Sequence, residues 1–188
     1  MFRSFCRKFI FFQTLIFCVY SSNGQKSRAI FIGLQPAITV EPEYEKNEFD
    51  INIVPIVFQS SLSKRIDYRL VSIVNYHFSS SGNEFSDLGL EIGFPVFFKA
   101  KEELLKPSSG FFASPVFQFV RNVMNDHYTM ILAIEPGYFF ELNSRFAFSL
   151  QLQFGGSYFI YDSDVSNEWK THFGFKGNLG FWLNKPKE

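Results

Sequence analysis

The sequence predicts an all-β fold, an antiparallel up-and-down barrel of eight strands. Three observations predict it. In the stretch Arg145 to Tyr161, every second residue from Phe146 (Phe146, Phe148, Leu150, Leu152, Phe154, Gly156, Tyr158, Ile160) forms an apolar face. The intervening residues are small and polar through the middle, which is the period-two pattern of a strand with a different environment on each face. The chain is also 20% aromatic, with 27 Phe, yet its mean hydropathy is +0.00, so its apolar residues are dispersed. Nothing after residue 25 approaches the ~18 consecutive apolar residues of a spanning helix. Finally, segments of the same kind recur about every 20 residues and number eight, an even count that suits an up-and-down barrel. At Arg145–Tyr161 the segment is longer than the ~9–11 residues with which a tilted strand crosses a bilayer. The expectation is therefore a transmembrane barrel.

The first strand is read as Ala29 to Glu41, with Ile30, Ile32, Leu34, Pro36, Ile38 and Val40 on one face. Pro36 sits awkwardly there because it removes a ladder donor. The second runs Phe49 to Phe58 and is apolar on both faces in its second half; Gln59 to Lys64 follows as a polar connection. In the third, Arg65 to Phe78, Ile66, Tyr68, Leu70, Val74, Tyr76 and Phe78 share a face broken by Ser72, and Asp67, Arg69, Asn75 and His77 oppose them. Ser79 to Ser86 (SSSGNEFS) reads as a loop.

The fourth strand, Asp87 to Lys99, places Leu88, Leu90, Ile92, Phe94, Val96 and Phe98 outward and Asp87, Gly89, Glu91, Gly93 and Pro95 inward. The connection Ala100 to Gly110 is the longest; its KEELL run suggests one helical turn ended by Pro107. The fifth, Phe111 to Val123, turns Phe111, Ala113, Pro115, Phe117 and Phe119 out and Gln118 in, and Asn122 to Asp126 is a loop. The sixth, Tyr128 to Glu141, opposes Tyr128, Met130, Leu132, Ile134, Pro136, Tyr138 and Phe140 to Thr129, Ala133, Glu135, Gly137 and Glu141. Glu141 to Ser144 is a tight turn into the seventh, described above, and Asp162 to Glu168 is a polar loop. The eighth, Trp169 to Leu183, alternates Trp169, Phe173, Phe175, Leu179 and Phe181 with Lys170, His172, Gly174, Lys176, Asn178 and Gly180.

Alternation does not fix sidedness, and a soluble lipocalin-like barrel would reverse the faces. Three features favour apolar-out. Glycines collect on the polar face (Gly33, Gly89, Gly93, Gly155, Gly174, Gly180), as a crowded eight-stranded interior requires. Tyr68, Tyr76, Tyr128, Tyr138, Tyr158 and Trp169 lie on the apolar face toward strand ends, as in interfacial girdles. That face carries no charge in the fourth, sixth, seventh and eighth strands. The inward set then includes Arg69, Glu91, Glu135 and Lys176. Buried charges must pair, so these four are expected to form a structural lumen cluster in which Arg69 and Lys176 neutralise the two glutamates. A gate or a narrow ion path is the functional alternative.

Residues 1–24 have the plan of a secretory signal: Arg3, Arg7 and Lys8, then the apolar run Phe9 to Tyr20, then small residues before a cleavage point at Gln25. The barrel domain is then 25–188. Both cysteines, Cys6 and Cys18, fall in the leader, which excludes disulfides and cysteine chemistry from the exported chain. Its mild acidity, 15 Lys+Arg against 18 Asp+Glu, gives no case for nucleic acid. No nucleotide, metalloprotease or hydrolase motif occurs. Asp162, Asp164 and Glu168 lack the spacing and glycine of a calcium loop, and His172 with Ser149 or Ser157 is the one imaginable hydrolytic pairing. No cofactor, metal or catalytic residue is expected.

The segments LGLEIGFPVFF (Leu88–Phe98), Gly110-Phe111-Phe112, EPGY (Glu135–Tyr138), QFGGSY (Gln153–Tyr158) and GNLGFWL (Gly177–Leu183) give the chain a likeness. It resembles the small outer-membrane β-barrel proteins of Gram-negative bacteria, the OmpA/OmpX/OmpW-like group, and more closely the short outer membrane protein beta-barrel domain proteins without assigned activity. The resemblance implies an outer-membrane location, the bilayer and the barrel-insertion machinery as partners, and a structural or surface-interaction role with no catalysis. A secreted carrier of a hydrophobic ligand is the alternative, and a lipid-modifying barrel enzyme the third. With the N-terminus in the periplasm, Pro42–Glu48, Ser79–Ser86, Asn122–Asp126 and Asp162–Glu168 would be outer loops. Gln59–Lys64, Ala100–Gly110 and Glu141–Ser144 would be periplasmic turns, the second unusually long.

Overall fold

Period-two alternation along the chain folds into a closed antiparallel barrel. The computed structural model describes residues 28–39, 49–79, 82–143, 145–161 and 166–183; the predicted leader lies outside them. The strands are β1 (Ile30–Leu34), β2 (Ile38–Thr39), β3 (Phe49–Asn52), β4 (Ile56–Ser61), β5 (Asp67–Ser79), β6 (Gly82–Gly93), β7 (Val96–Phe97), β8 (Gly110–Asn122), β9 (His127–Glu141), β10 (Phe146–Tyr161) and β11 (Glu168–Trp182). They line up as eight staves, because β1 with β2, β3 with β4, and β6 with β7 each form one interrupted stave. Every stave pairs antiparallel with its neighbours in sequence, and β1 pairs with β11 to close the ring through Phe31↔Trp182, Ile32↔Phe181, Gly33↔Gly180 and Leu34↔Leu179. We call the end carrying the β4–β5, β7–β8 and β9–β10 connections the turn end and the opposite one the loop end. No helix among the described residues is long and apolar enough to cross a membrane, which does not bear on strands.

Several boundaries differ from the sequence expectation, each for a local reason. The first two staves are broken, the first at Gln35–Ala37 and the second at Ile53–Pro55; each break contains a proline, which has no N–H for the ladder. The second break also swaps faces: Asn52 points inward before it and Val57 after it, so period two slips by one residue. Side chains repair the gap. Asn52 Nδ2 donates to Ser72 O at 2.9 Å, and Asn52 Oδ1 accepts from the backbone N–H groups of Val54 and Val74, both at 3.2 Å. Ser72 Oγ donates to Val54 O at 2.5 Å and accepts from Ile56 N at 3.1 Å. The serine that interrupts an apolar face in sequence thus serves the broken wall.

Gln59–Ser61 is strand rather than connection, and all three side chains are buried. The expected loop Ser79–Ser86 is mostly ladder: β5 and β6 continue through His77↔Glu84, Phe78↔Asn83 and Ser79↔Gly82, across a register shift at Asn75/Tyr76. Gly82, at φ 151°, takes a backbone conformation that side-chain-bearing residues rarely adopt. Glu141, expected inward, is exposed at the rim. Val40 and Glu41, read as the end of the first strand, lie outside the described residues, as do Asp162 and Asp164 of the predicted final loop.

KEELL forms no helix. It makes one hydrogen-bonded turn, Lys106 N to Glu103 O at 3.2 Å, inside a connection that folds back onto the turn end. There Leu104 O accepts from Ala29 N and Lys64 O from Lys101 N, both at 2.9 Å. Above this connection lies an apolar layer to which every stave contributes: Ala29 and Phe31, Val57, Val71, Phe97, Phe112, Phe139, Ala147 and Trp182, in stave order. Phe31 packs edge-on to Phe139 at 5.3 Å and against Trp182 at 5.4 Å between ring centroids. The lumen is therefore plugged near the turn end by a small conventional core.

Candidate functional site: the charged lumen

Beyond the apolar layer the lumen turns polar. Arg69 on β5, Glu91 on β6, Glu135 on β9 and Lys176 on β11 occupy inward positions of their strands, and the first three have 0% exposure. The structure brings all four together. Arg69 donates through Nη2 to Glu135 Oε1 and lies 3.8 Å from Glu91 Oε1, and Lys176 Nζ donates to Glu91 Oε2. Two cations and two carboxylates cancel. Such a balanced cluster avoids the several kcal/mol that one uncompensated buried charge costs.

Two glutamines, absent from the expected cluster, tie it together. Gln153 Nε2 donates to Glu135 Oε2 at 2.8 Å, and Gln118 Nε2 donates to Glu91 Oε2 at 2.8 Å and to Gln153 Oε1 at 3.2 Å. Their inward parity was readable from alternation; their choice of partner depends on how far each stave is sheared against the next. His172, on the lumen side of β11, pairs through Nε2 with Gln153 Oε1 at 3.0 Å. Ser149 Oγ bonds to Gln151 Oε1 at 2.8 Å and accepts from Asn178 Nδ2 at 2.9 Å. No serine–histidine hydrogen bond joins Ser149 or Ser157 to His172 among the described residues.

Two further polar groups flank the cluster. At the turn end Lys101 Nζ reaches back from the long connection to Asp67 Oδ1 at 2.9 Å, Ser108 Oγ at 2.7 Å and Ser61 Oγ. Gln59 Nε2 donates to the other Asp67 oxygen at 2.9 Å. At the loop end His77 Nδ1 lies 2.8 Å from Asp50 Oδ1, Ser86 Oγ donates to Asp50 Oδ2 at 3.0 Å, and Asn75 and Asn122 each donate to Asp87 at 3.0 Å. Glu168, at the start of β11, accepts from Tyr161 Oη at 3.0 Å and pairs with Lys170 at 2.9 Å. No group of three potential metal ligands occurs among the described residues.

The outer surface has the opposite character. Leu88, Leu90, Ile92, Phe94, Val96, Phe117, Phe119, Leu132, Ile134, Leu150, Leu152, Phe154, Phe173, Phe175 and Leu179 are all exposed, on staves four to eight. Aromatic pairs stand on the same surface toward its edges, among them Phe111–Tyr138 near the turn end and Tyr158–Trp169 near the loop end. No protein-family model matches the chain, and a search of curated proteins returns no match. The geometry alone carries the functional reading.

Proposed function

We propose that this chain is an integral outer-membrane β-barrel of the small Gram-negative type, with a side-chain-filled lumen and a structural or surface-interaction role. The supporting observation is the inversion of the usual layering: beyond the turn-end plug charges and amides fill the interior, while a belt of large apolar side chains covers the outside of staves four to eight. A soluble monomer rarely exposes an apolar patch beyond a few hundred Å². In hydrocarbon the same belt is at home, and ring closure leaves no sheet edge unpaired. The apolar layer at the turn end and the charge cluster above it argue for a barrel that does not conduct. Any interaction role then falls to the loop end.

Gel mobility of the protein in the membrane fraction, with and without boiling in SDS, tests this. A closed membrane barrel resists unheated SDS and changes mobility on boiling. A heat-dependent shift in the outer-membrane fraction is expected. Protein that stays soluble and shows no shift would overturn the reading.

A further inference from the structure

At the turn end, cations border the apolar belt. Arg65 precedes outward Ile66 on the third stave, Lys99 follows outward Phe98 on the fourth, and Arg145 precedes outward Phe146 on the seventh. Phe98 is 71% exposed, and the three cations are exposed beside these residues. Arg28 at the start of the first stave and Lys64 in the β4–β5 turn are exposed on the same rim. Backbone bonds fix the ring: Arg65 O accepts from Phe97 N at 2.7 Å, and Arg145 O from Trp182 N at 2.9 Å. The exposed rim acids are fewer. Glu102 is engaged by Lys106, whose hydrogen bond holds its carboxyl below the usual range, with a smaller contribution from Lys99; Glu103 and Glu141 remain. At the loop end Glu84 is exposed on β6.

We infer that Arg28, Lys64, Arg65, Lys99 and Arg145 form a cationic collar that binds anionic phospholipid headgroups in the leaflet surrounding the turn end. This rests on the membrane reading above. Its physical basis is depth. Each of three cations is one residue from a side chain that would sit in hydrocarbon, so its charge falls at headgroup level, where the field of anionic lipids is strongest. The neighbouring aromatics Phe98, Phe111, Tyr138 and Phe146 fix that level. The attraction is about 1 kcal/mol per cation, or roughly fivefold in occupancy, and is screened within a Debye length of ~8 Å at physiological salt.

The test is lipid selectivity in phosphatidylcholine bilayers holding the folded full-length exported chain, read with trace spin-labelled phosphatidylglycerol or phosphatidylcholine. At low salt the labelled phosphatidylglycerol should associate several-fold more strongly. The preference should fall toward one in 1 M NaCl and in the triple variant Arg65→Glu, Lys99→Glu, Arg145→Glu, and persist in the loop-end control Glu84→Gln. Equal association of both lipids with the unaltered protein would overturn the collar, as would a preference that survives charge reversal. The two failures are distinguishable. A protein that inserts and restricts lipid without headgroup preference refutes the collar alone. One that restricts no lipid at all refutes the membrane reading and the collar with it.

Discussion

Phe31 and Trp182 face each other across the seam that closes the barrel, and both rings turn inward to 0% and 2% exposure. One residue near each end of the described chain thus joins the ladder and the plug at a single point. Phe31→Ala should cost about 3–5 kcal/mol, the range for a buried Phe truncation. The denaturation midpoint and the temperature of the SDS mobility shift should both fall. Phe175→Ala, on the outer face of β11, removes a ring of the same size from the exposed belt and should leave the plug intact.

Glycines set how tightly the seam closes. A Cβ at Gly180 would lie 2.3 Å from Ile32 O and 2.5 Å from the Gly33 Cα, and neither backbone atom can yield without opening the ladder. Gly180→Ala should therefore destabilise by roughly 1–3 kcal/mol, as overpacking does. Gly177→Ala is the matched control on the same strand, because its Cβ would meet nothing nearer than 3.4 Å. Equal denaturation midpoints for the two variants would contradict this account.

The lumen cluster makes a sharper prediction through a double-mutant cycle. Arg69→Met or Glu135→Gln alone leaves a buried partner unbalanced and should cost about 3–5 kcal/mol. The double variant should lose less than the sum, because removing both charges restores neutrality. Heat stability unchanged in Glu135→Gln would remove the basis for treating the four charges as one structural unit.

Leu150→Arg addresses sidedness. Leu150 is exposed on the outer face of β10, toward the turn end, paired with Tyr138 and Gly177. On a lipid-facing surface an arginine there should cost up to the ~2–4 kcal/mol that applies at the midplane and lower the folded fraction in membranes. A variant that inserts as well as the parent would count against a lipid-facing β10.

The long strands were legible in the sequence because their alternation is uninterrupted. On β9, β10 and β11 the outward Leu132, Leu150 and Phe175 and the inward Glu135, Gln151 and Lys176 follow directly from parity. Parity also put the four lumen charges on one side. It could not supply the partners, since Lys176 meets Glu91 across the lumen, 85 residues away in sequence. The second stave was harder, because a one-residue slip between Asn52 and Val57 reverses every assignment in its remaining half. Lys101 was illegible for another reason. A cation in a charged connection reads as solvated until the connection is seen folded under Asp67.

The breaks at Pro36 and Pro55 give the wall a soft panel. By contrast β8 to β11 run 13–16 residues as uninterrupted strands, whereas the panel depends on isolated bonds such as Gln35 N to Pro55 O and on the side chains of Asn52 and Ser72. Amide hydrogens of Val54, Ile56 and Val74 should therefore exchange with solvent deuterium well before those of Leu150 or Phe175, as expected where local opening costs least. Breathing of the cylinder is thereby greatest at its first two staves, beside the seam with β11.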